Sequence, residues 1–284
     1  MEGKILIITH FNYYTEEYLN YGCELARIMH KPVLLLHIYN KVALPSGFVS
    51  QTNLSNTLSY EDLENHEKLA ISELEKQINL IRLGMTDAPQ IDYQVATGFE
   101  MAILDKIFAN QKIDLILTGN YSETDFLSLD PLIPAIIEDI NCPVWILPSG
   151  YRYKPVSKMI YATDYNQEDI HILKKIVGIA RQFNAHIIAL HFTDNKSFDE
   201  RVRQEGFQNL LDKQTGYENI SVKIISSNDG IKDTLNDYAD KSGSGLIVML
   251  KKNRGFLQKI FKADETRKMI YRTQIPLLIF HYKE

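Results

Sequence analysis

The chain has 284 residues, of which 45% are hydrophobic and 24% charged, with 14 Gly, 9 Pro and a formal net charge of −5. This composition excludes collagenous, low-complexity and disordered classes, and the length suits two domains of roughly 100–200 residues or one large one. No apolar run approaches the ~18 residues needed to cross a bilayer; even Val33-Leu34-Leu35-Leu36 stops at His37. The apolar stretch Ile5–Ile8 is too short for a signal peptide. A cytoplasmic chain with no membrane partner is therefore expected, with Cys23 and Cys142 as free thiols.

The charge is uneven. Residues 1–150 hold 9 Lys and Arg against 20 Asp and Glu, a net of −11, whereas residues 151–284 hold 22 against 16, a net of +6. The stretch from Lys251 to Glu284 carries nine basic and three acidic residues. Such a tail could meet nucleic acid or another anion, or the basic half could simply attract the acidic one. With no recognition helix or aromatic-lined sheet face to accompany it, nucleic acid is not the expected partner.

The first strand reads at 4–9, followed by an amphipathic helix over Thr15–His30 and a second strand at 32–38. Asn40–Ser59 is polar and longer than most strand–helix connections, so it is either a lid or an ordinary loop. A helix over Tyr60–Leu83, a strand at 90–95, a helix over Glu100–Asn110 and strands at 113–118 and 143–147 complete this half. The turn-rich stretch Pro148–Pro155 marks a boundary, giving domains 1–150 and 151–284. Strands then recur at 158–162, 186–192, 220–225, 245–250 and 277–281. Continuous Ile/Leu/Val runs alternating with helices predict parallel sheets covered on both faces, that is, doubly wound α/β domains.

The second half repeats the first. At an offset of 154, Lys4–Phe11 falls on Lys158–Tyr165, Ala26-Arg27 on Ala180-Arg181, and His37 on His191. Farther on, Asp114–Thr118 meets Gly245–Met249, and Cys142-Pro143-Val144 meets Ile275-Pro276-Leu277.

Those residues resemble the universal stress protein family. Lys-Ile-Leu-Ile-Ile-Thr at the start, Leu-Leu-Leu-His at 34–37, Asp-Leu-Ile-Leu-Thr-Gly at 114–119 and Cys-Pro-Val-Trp-Ile-Leu-Pro at 142–148 carry the likeness in the first half. Tyr-Ala-Thr-Asp-Tyr at 161–165, Ala-Leu-His at 189–191, Gly-Leu-Ile-Val-Met at 245–249 and Ile-Pro-Leu-Leu-Ile at 275–279 carry it in the second. The resemblance implies two tandem five-stranded parallel sheets of strand order 3-2-1-4-5. It also implies that they pair as an internal pseudo-dimer, with Val144–Leu147 beside Leu277–Phe280. An uncovered short edge strand points the same way, since it invites aggregation.

The family is a stress-response and regulatory group in which some members bind ATP. The resemblance implies that binders carry Asp after the first strand and Gly-x2-Gly-x9-Gly-Ser/Thr after the fourth, the glycines letting backbone N–H groups approach the phosphates. The first half departs from this pattern. His10 takes the acidic position, Ser122 replaces the second Gly, and Asp130-Pro131 stand where Gly-Ser/Thr belong, so no triphosphate site is expected there. The second half keeps Thr163-Asp164 and the binders' spacing of 26 residues from Leu250 to Pro276. Its loop positions nevertheless read Leu250, Asn253, Ala263 and Asp264. Lys251, Lys252 and Arg254 could grip an anion in place of the glycines, or be a solvated basic loop.

The candidate binding set is therefore Thr163, Asp164, Lys251, Lys252, Asn253 and Arg254, for ATP or another phosphorylated ligand. His10 and His37 should end adjacent strands, but no ligand set for a metal forms around them, and His191 suits packing or hydrogen bonding. Cys142 reads as a small core residue. No Gly-x-Ser-x-Gly, P-loop or His-Glu-x-x-His motif occurs, so no catalytic residue is assigned. The expectation is a non-enzymatic regulator that requires no cofactor and acts on an unknown protein partner, with self-association open. The alternative is an ATP- or anion-binding sensor using the second domain only.

Overall fold

The computed structural model describes residues 3–9, 15–39, 60–119, 132–193, 197–226, 231–251 and 274–281. The first repeat runs β1 (Lys4–Thr9), α1 (Thr15–Ile28), β2 (Val33–Tyr39), α2 (Tyr60–Gly84), β3 (Ile91–Thr97), α3 (Glu100–Asn110), β4 (Ile113–Gly119), α4 (Leu132–Asp139) and β5 (Val144–Leu147). The second runs β6 (Lys158–Ala162), α5 (Gln167–Phe183), β7 (His186–Phe192), α6 (Phe198–Thr215), β8 (Ile220–Ile225), α7 (Ile231–Ser242), β9 (Leu246–Lys251) and β10 (Leu277–His281). Each strand expected from an apolar run is present, its ends within two residues of the expected ones.

Packing groups the chain into two compact units, Met1–Ile113 and Asp114–Glu284. In the first, β1 pairs with β2 and β2 with β3, all parallel, in register Ile5↔Val33 and Val33↔Ile91. Ile5 to Ile8 and Leu35 to Leu36 have no exposed surface, as a strand sandwiched between helices requires. The Lys4 N–H donates to the Lys112 carbonyl at 2.9 Å, tying the start of β1 to the residue before β4.

The second unit contains β4 and β5 with the whole second repeat, because the last strands of the two repeats join. β5 pairs with β10 antiparallel, with Leu277 opposite Ile146, Leu278 opposite Trp145 and Ile279 opposite Val144. From β10 inward the order is β10-β9-β6-β7-β8, which is the order 3-2-1-4-5 read from its other end. The neighbour pairs β4–β5, β2–β3 and β1–β2 follow the same order in the first repeat. The expected side-by-side pairing of Val144–Leu147 and Leu277–Phe280 is thus present. It buries Trp145, Leu278 and Val144 completely, and each such side chain contributes about 1.5–3 kcal/mol relative to exposure.

Candidate functional site

The second repeat's site begins where β6 ends. β6 and β9 are parallel neighbours in register Tyr161↔Val248, so Thr163-Asp164 and Lys251 leave the sheet at one edge. In open α/β sheets that carboxyl edge is where ligands bind. Lys252, Asn253, Arg254 and Asp264 lie outside the described residues, as do His10, Ser122, Asp130, Pro131 and the segment 40–59.

The turn after β6 is organised by Asp169, a residue outside the candidate binding set. Asp169 has no exposed surface, and its carboxylate accepts four hydrogen bonds. These come from the Tyr161 hydroxyl at 2.8 Å, the Thr163 hydroxyl at 2.9 Å, the Asp164 N–H at 2.9 Å and the Asn166 N–H at 3.1 Å. The Thr163 oxygen also accepts the Tyr165 N–H at 3.1 Å. Thr163 is therefore spent on shaping the loop. The available signal was Asn166-x-x-Asp169 ahead of an apolar-periodic helix, a capping-box pattern in which the third helical residue reaches back to the cap N–H. Burial, then the Asp169 carboxylate, pushes the Tyr161 phenol well above its usual range. Both carboxylate oxygens of Asp164 are shielded from solvent.

Beside this turn, Tyr165 takes a left-handed backbone with φ of 60°. Its ring stacks on His191 at 4.2 Å and tilts against Phe207 at 4.9 Å. His191 Nδ1 lies 2.8 Å from the Thr163 carbonyl oxygen, an acceptor, so Nδ1 carries the proton and donates. Its Nε2 is 3.7 Å from the Glu200 carboxylate, too long for a hydrogen bond. The first repeat has the same contact: His37 Nδ1 donates to the Thr9 carbonyl at 3.1 Å. Each histidine sits on the second strand of its repeat and fastens the end of the first, the hydrogen-bonding role expected for His191.

The Lys251 side chain reaches α4. Its ammonium donates to the Ile137 carbonyl at 2.8 Å, the Glu138 carbonyl at 3.2 Å and the Glu138 carboxylate at 2.9 Å. His281 Nε2 donates to the same Ile137 carbonyl at 2.8 Å. Two side chains from β9 and β10 therefore cap the C-terminal carbonyls of α4, where positive charge meets the negative end of the helix dipole. A recess of about 430 Å³ also lies in this unit, between Asn141, Glu168, His171, Lys175 and His281, and none of the described sequence-predicted residues lines it.

Among the described residues no group of three or more His, Cys, Asp or Glu is arranged to hold a metal ion. No described helix is long and apolar enough to cross a membrane. Cys23 and Cys142 are free and buried, and burial pushes both thiols up to about 12.

Comparison with known proteins agrees with this architecture. Residues 155–281 match the universal stress protein family. A universal stress protein from Archaeoglobus fulgidus DSM 4304 has a similar structure at 14% identity and a TM-score of 0.68, covering 99% of this chain and 97% of its own. A functionally unknown protein from Pseudomonas aeruginosa PAO1 is similar at 14% identity and a TM-score of 0.62, over 99% and 92% of the two chains. The cytoplasmic domain of a prokaryotic cation chloride cotransporter is similar at 11% identity and a TM-score of 0.56, over 98% and 95%. No curated protein matches the sequence. The chain thus has the α/β fold of a tandem universal stress protein, and its second half is matched by that family itself.

Proposed function

We propose that this chain is a non-enzymatic stress-response regulator of the cytoplasm that acts through protein contacts and requires no cofactor. The family match over residues 155–281 supports the stress-response part. The observation that carries the rest is the placement of Lys251. The one described member of the basic loop has its ammonium on α4, bonded to Ile137 and Glu138. Asp169, the buried carboxylate nearest in sequence to Asp164, is likewise spent on four internal donors. Groups held this way support a scaffold that presents surface to a partner rather than one that turns over substrate. Titrating the full-length protein with Mg-ATP by calorimetry, with phosphate release measured in parallel, tests the reading. It predicts no saturable heat and no release above buffer, and turnover would end it.

The second reading is a sensor for ATP or another phosphorylated anion using the second domain alone. What favours it is the rigid Thr163-Asp164 turn at the end of β6, beside the end of β9. Asp164 would face the sugar or base, and Lys252, Asn253 and Arg254 would supply the phosphate contacts. Such binding rests on charge and should weaken steeply with salt. Saturable heat at low salt that vanishes at high salt, without hydrolysis, would select this reading over the first.

A further inference from the structure

The outer strands of the two units, β3 and β8, are finished differently. β8 pairs with β7 in register Ile187↔Ile220, which turns the backbone groups of Ile220, Val222 and Ile224 outward. Two glutamines of α6 cover that edge. Gln208 donates to the Ile220 carbonyl at 3.4 Å and accepts the Val222 N–H at 2.8 Å, while Gln204 donates to the Val222 carbonyl at 2.8 Å. Side-chain amides here occupy the places a further strand would take, one of the ways a sheet edge is closed to pairing.

β3 is the outer strand of the first unit, and its edge is built otherwise. The register Val33↔Ile91, with the Val33 N–H on the Gln90 carbonyl, turns Ile91, Tyr93, Val95 and Thr97 outward. The facing residues of α2, Glu75, Asn79 and Arg82, stand off from the strand and leave a recess of about 230 Å³ against Ile91 and Tyr93. Glu75 accepts a hydrogen bond from the Tyr93 hydroxyl at 2.8 Å, at the tip of that side chain and away from the strand backbone. Leu80 and Leu83, on the same end of α2 as Arg82, are 48% and 86% exposed. The strand Ile-Asp-Tyr-Gln-Val-Ala-Thr contains neither Pro nor Lys, and its one charge, Asp92, is paired with Lys4 at 2.7 Å.

We propose that the β3 edge is a self-association surface, on which β3 of a second copy of this chain pairs antiparallel about a two-fold axis at Gln94. The sequence is self-complementary in that register. Tyr93 falls opposite Val95 of the second copy and Ile91 opposite Thr97, aromatic-to-branched and branched-to-branched pairs of the kind that stabilise sheets. Asp92, already neutralised by Lys4 at 2.7 Å, falls opposite Ala96, so no like charges meet. All four outward residues of each strand find partners, which closes the edge as Gln204 and Gln208 close β8. A two-fold contact is self-complementary and closed, and two-fold dimers are the commonest homo-oligomers. The surface is independent of the ligand reading above.

Sedimentation of the full chain over a wide concentration range tests it. The parent should pass from monomer toward twice the chain mass, and Val95→Pro should return it to monomer. The proline removes only an outward N–H, leaving the ladder to β2 intact. Tyr93→Lys, which places a charge on the edge without touching the backbone, should weaken association at least tenfold. Gln204→Ala combined with Gln208→Ala should open β8 and add higher species. A parent that stays monomeric throughout, or a dimer that neither β3 variant weakens, overturns the proposal.

Discussion

Lys251 and Glu138 stand 113 residues apart in sequence, yet the lysine ammonium lies 2.9 Å from the glutamate carboxylate and 3.2 Å from its carbonyl. The lysine side chain is 16% exposed and the glutamate 63%, so the carbonyl bonds, not the ion pair, carry most of the interaction. Lys251→Ala should therefore lower stability by about 1–2 kcal/mol, the upper range for a cation at a helix C-terminus. Glu138→Gln should cost below about 0.5 kcal/mol, as expected of an exposed partner. Urea unfolding of the two variants checks this, and equal effects would assign the energy to the ion pair instead.

Asp169→Asn should be among the most damaging single changes in the second unit. Tyr161 donates to Oδ1, and Thr163, Asp164 and Asn166 donate to Oδ2, so the amide must set its NH2 against one of these two groups and also loses the charge that strengthens all four bonds. A loss of about 2–4 kcal/mol is expected for a buried group left mispaired. Tyr161→Phe removes one of the four bonds, at a cost of about 1 kcal/mol. Thermal unfolding that ranks the two variants the other way would contradict this account of the turn.

Much of this architecture was legible beforehand. Ile5–Ile8 and Leu246–Leu250 read as buried strands because both faces are covered, leaving no polar alternation to blur the pattern. The pairing of Val144–Leu147 with Leu277–Phe280 was legible because the repeat left two short edges needing cover. The hydrogen bonds of Thr163 and Lys251 were not. Motif spacing places a residue along the chain but does not say where its side chain turns. The Thr163 hydroxyl turns inward to Asp169, and Lys251 crosses to a helix of the other repeat. Asp169 carries no ligand-motif signal; its signature is the helix-capping pattern, in which the third helical residue bonds back to the cap.

Stability should fall as the solution is acidified from neutral. Burial, followed by the Lys251 charge, pushes the His281 imidazole below its ordinary 6.5, and burial with Lys223 does the same to His186. Above that value both folded and unfolded chains hold neutral histidine. Below it the unfolded chain takes up protons that the folded chain resists, so stability is lost as the pH falls toward the depressed values. The urea midpoint should therefore drop between about pH 7 and about pH 5.5, and less in His281→Gln, which keeps a donor for Ile137 without titrating. A midpoint flat across that window would refute the assignment.

Both thiols should be silent in the folded protein. With Cys23 and Cys142 buried and pushed up to about 12, essentially no thiolate exists near neutral pH. An aromatic disulfide reagent should titrate neither cysteine in buffer and both in urea. Fast reaction of either in the folded state would mean that its site opens.

In the proposed reading, the second repeat's carboxylates and lysine hold a scaffold together and leave the chain to act through surface contacts. Denaturing the freshly purified full-length protein and analysing the released small molecules by mass spectrometry, with the ultraviolet spectrum before and after, tests it most directly. The expected result is an absorbance ratio of protein alone and no nucleotide at a significant fraction of the chain concentration. An adenine nucleotide released at near one per chain would contradict it and assign the Thr163-Asp164 edge to ligand.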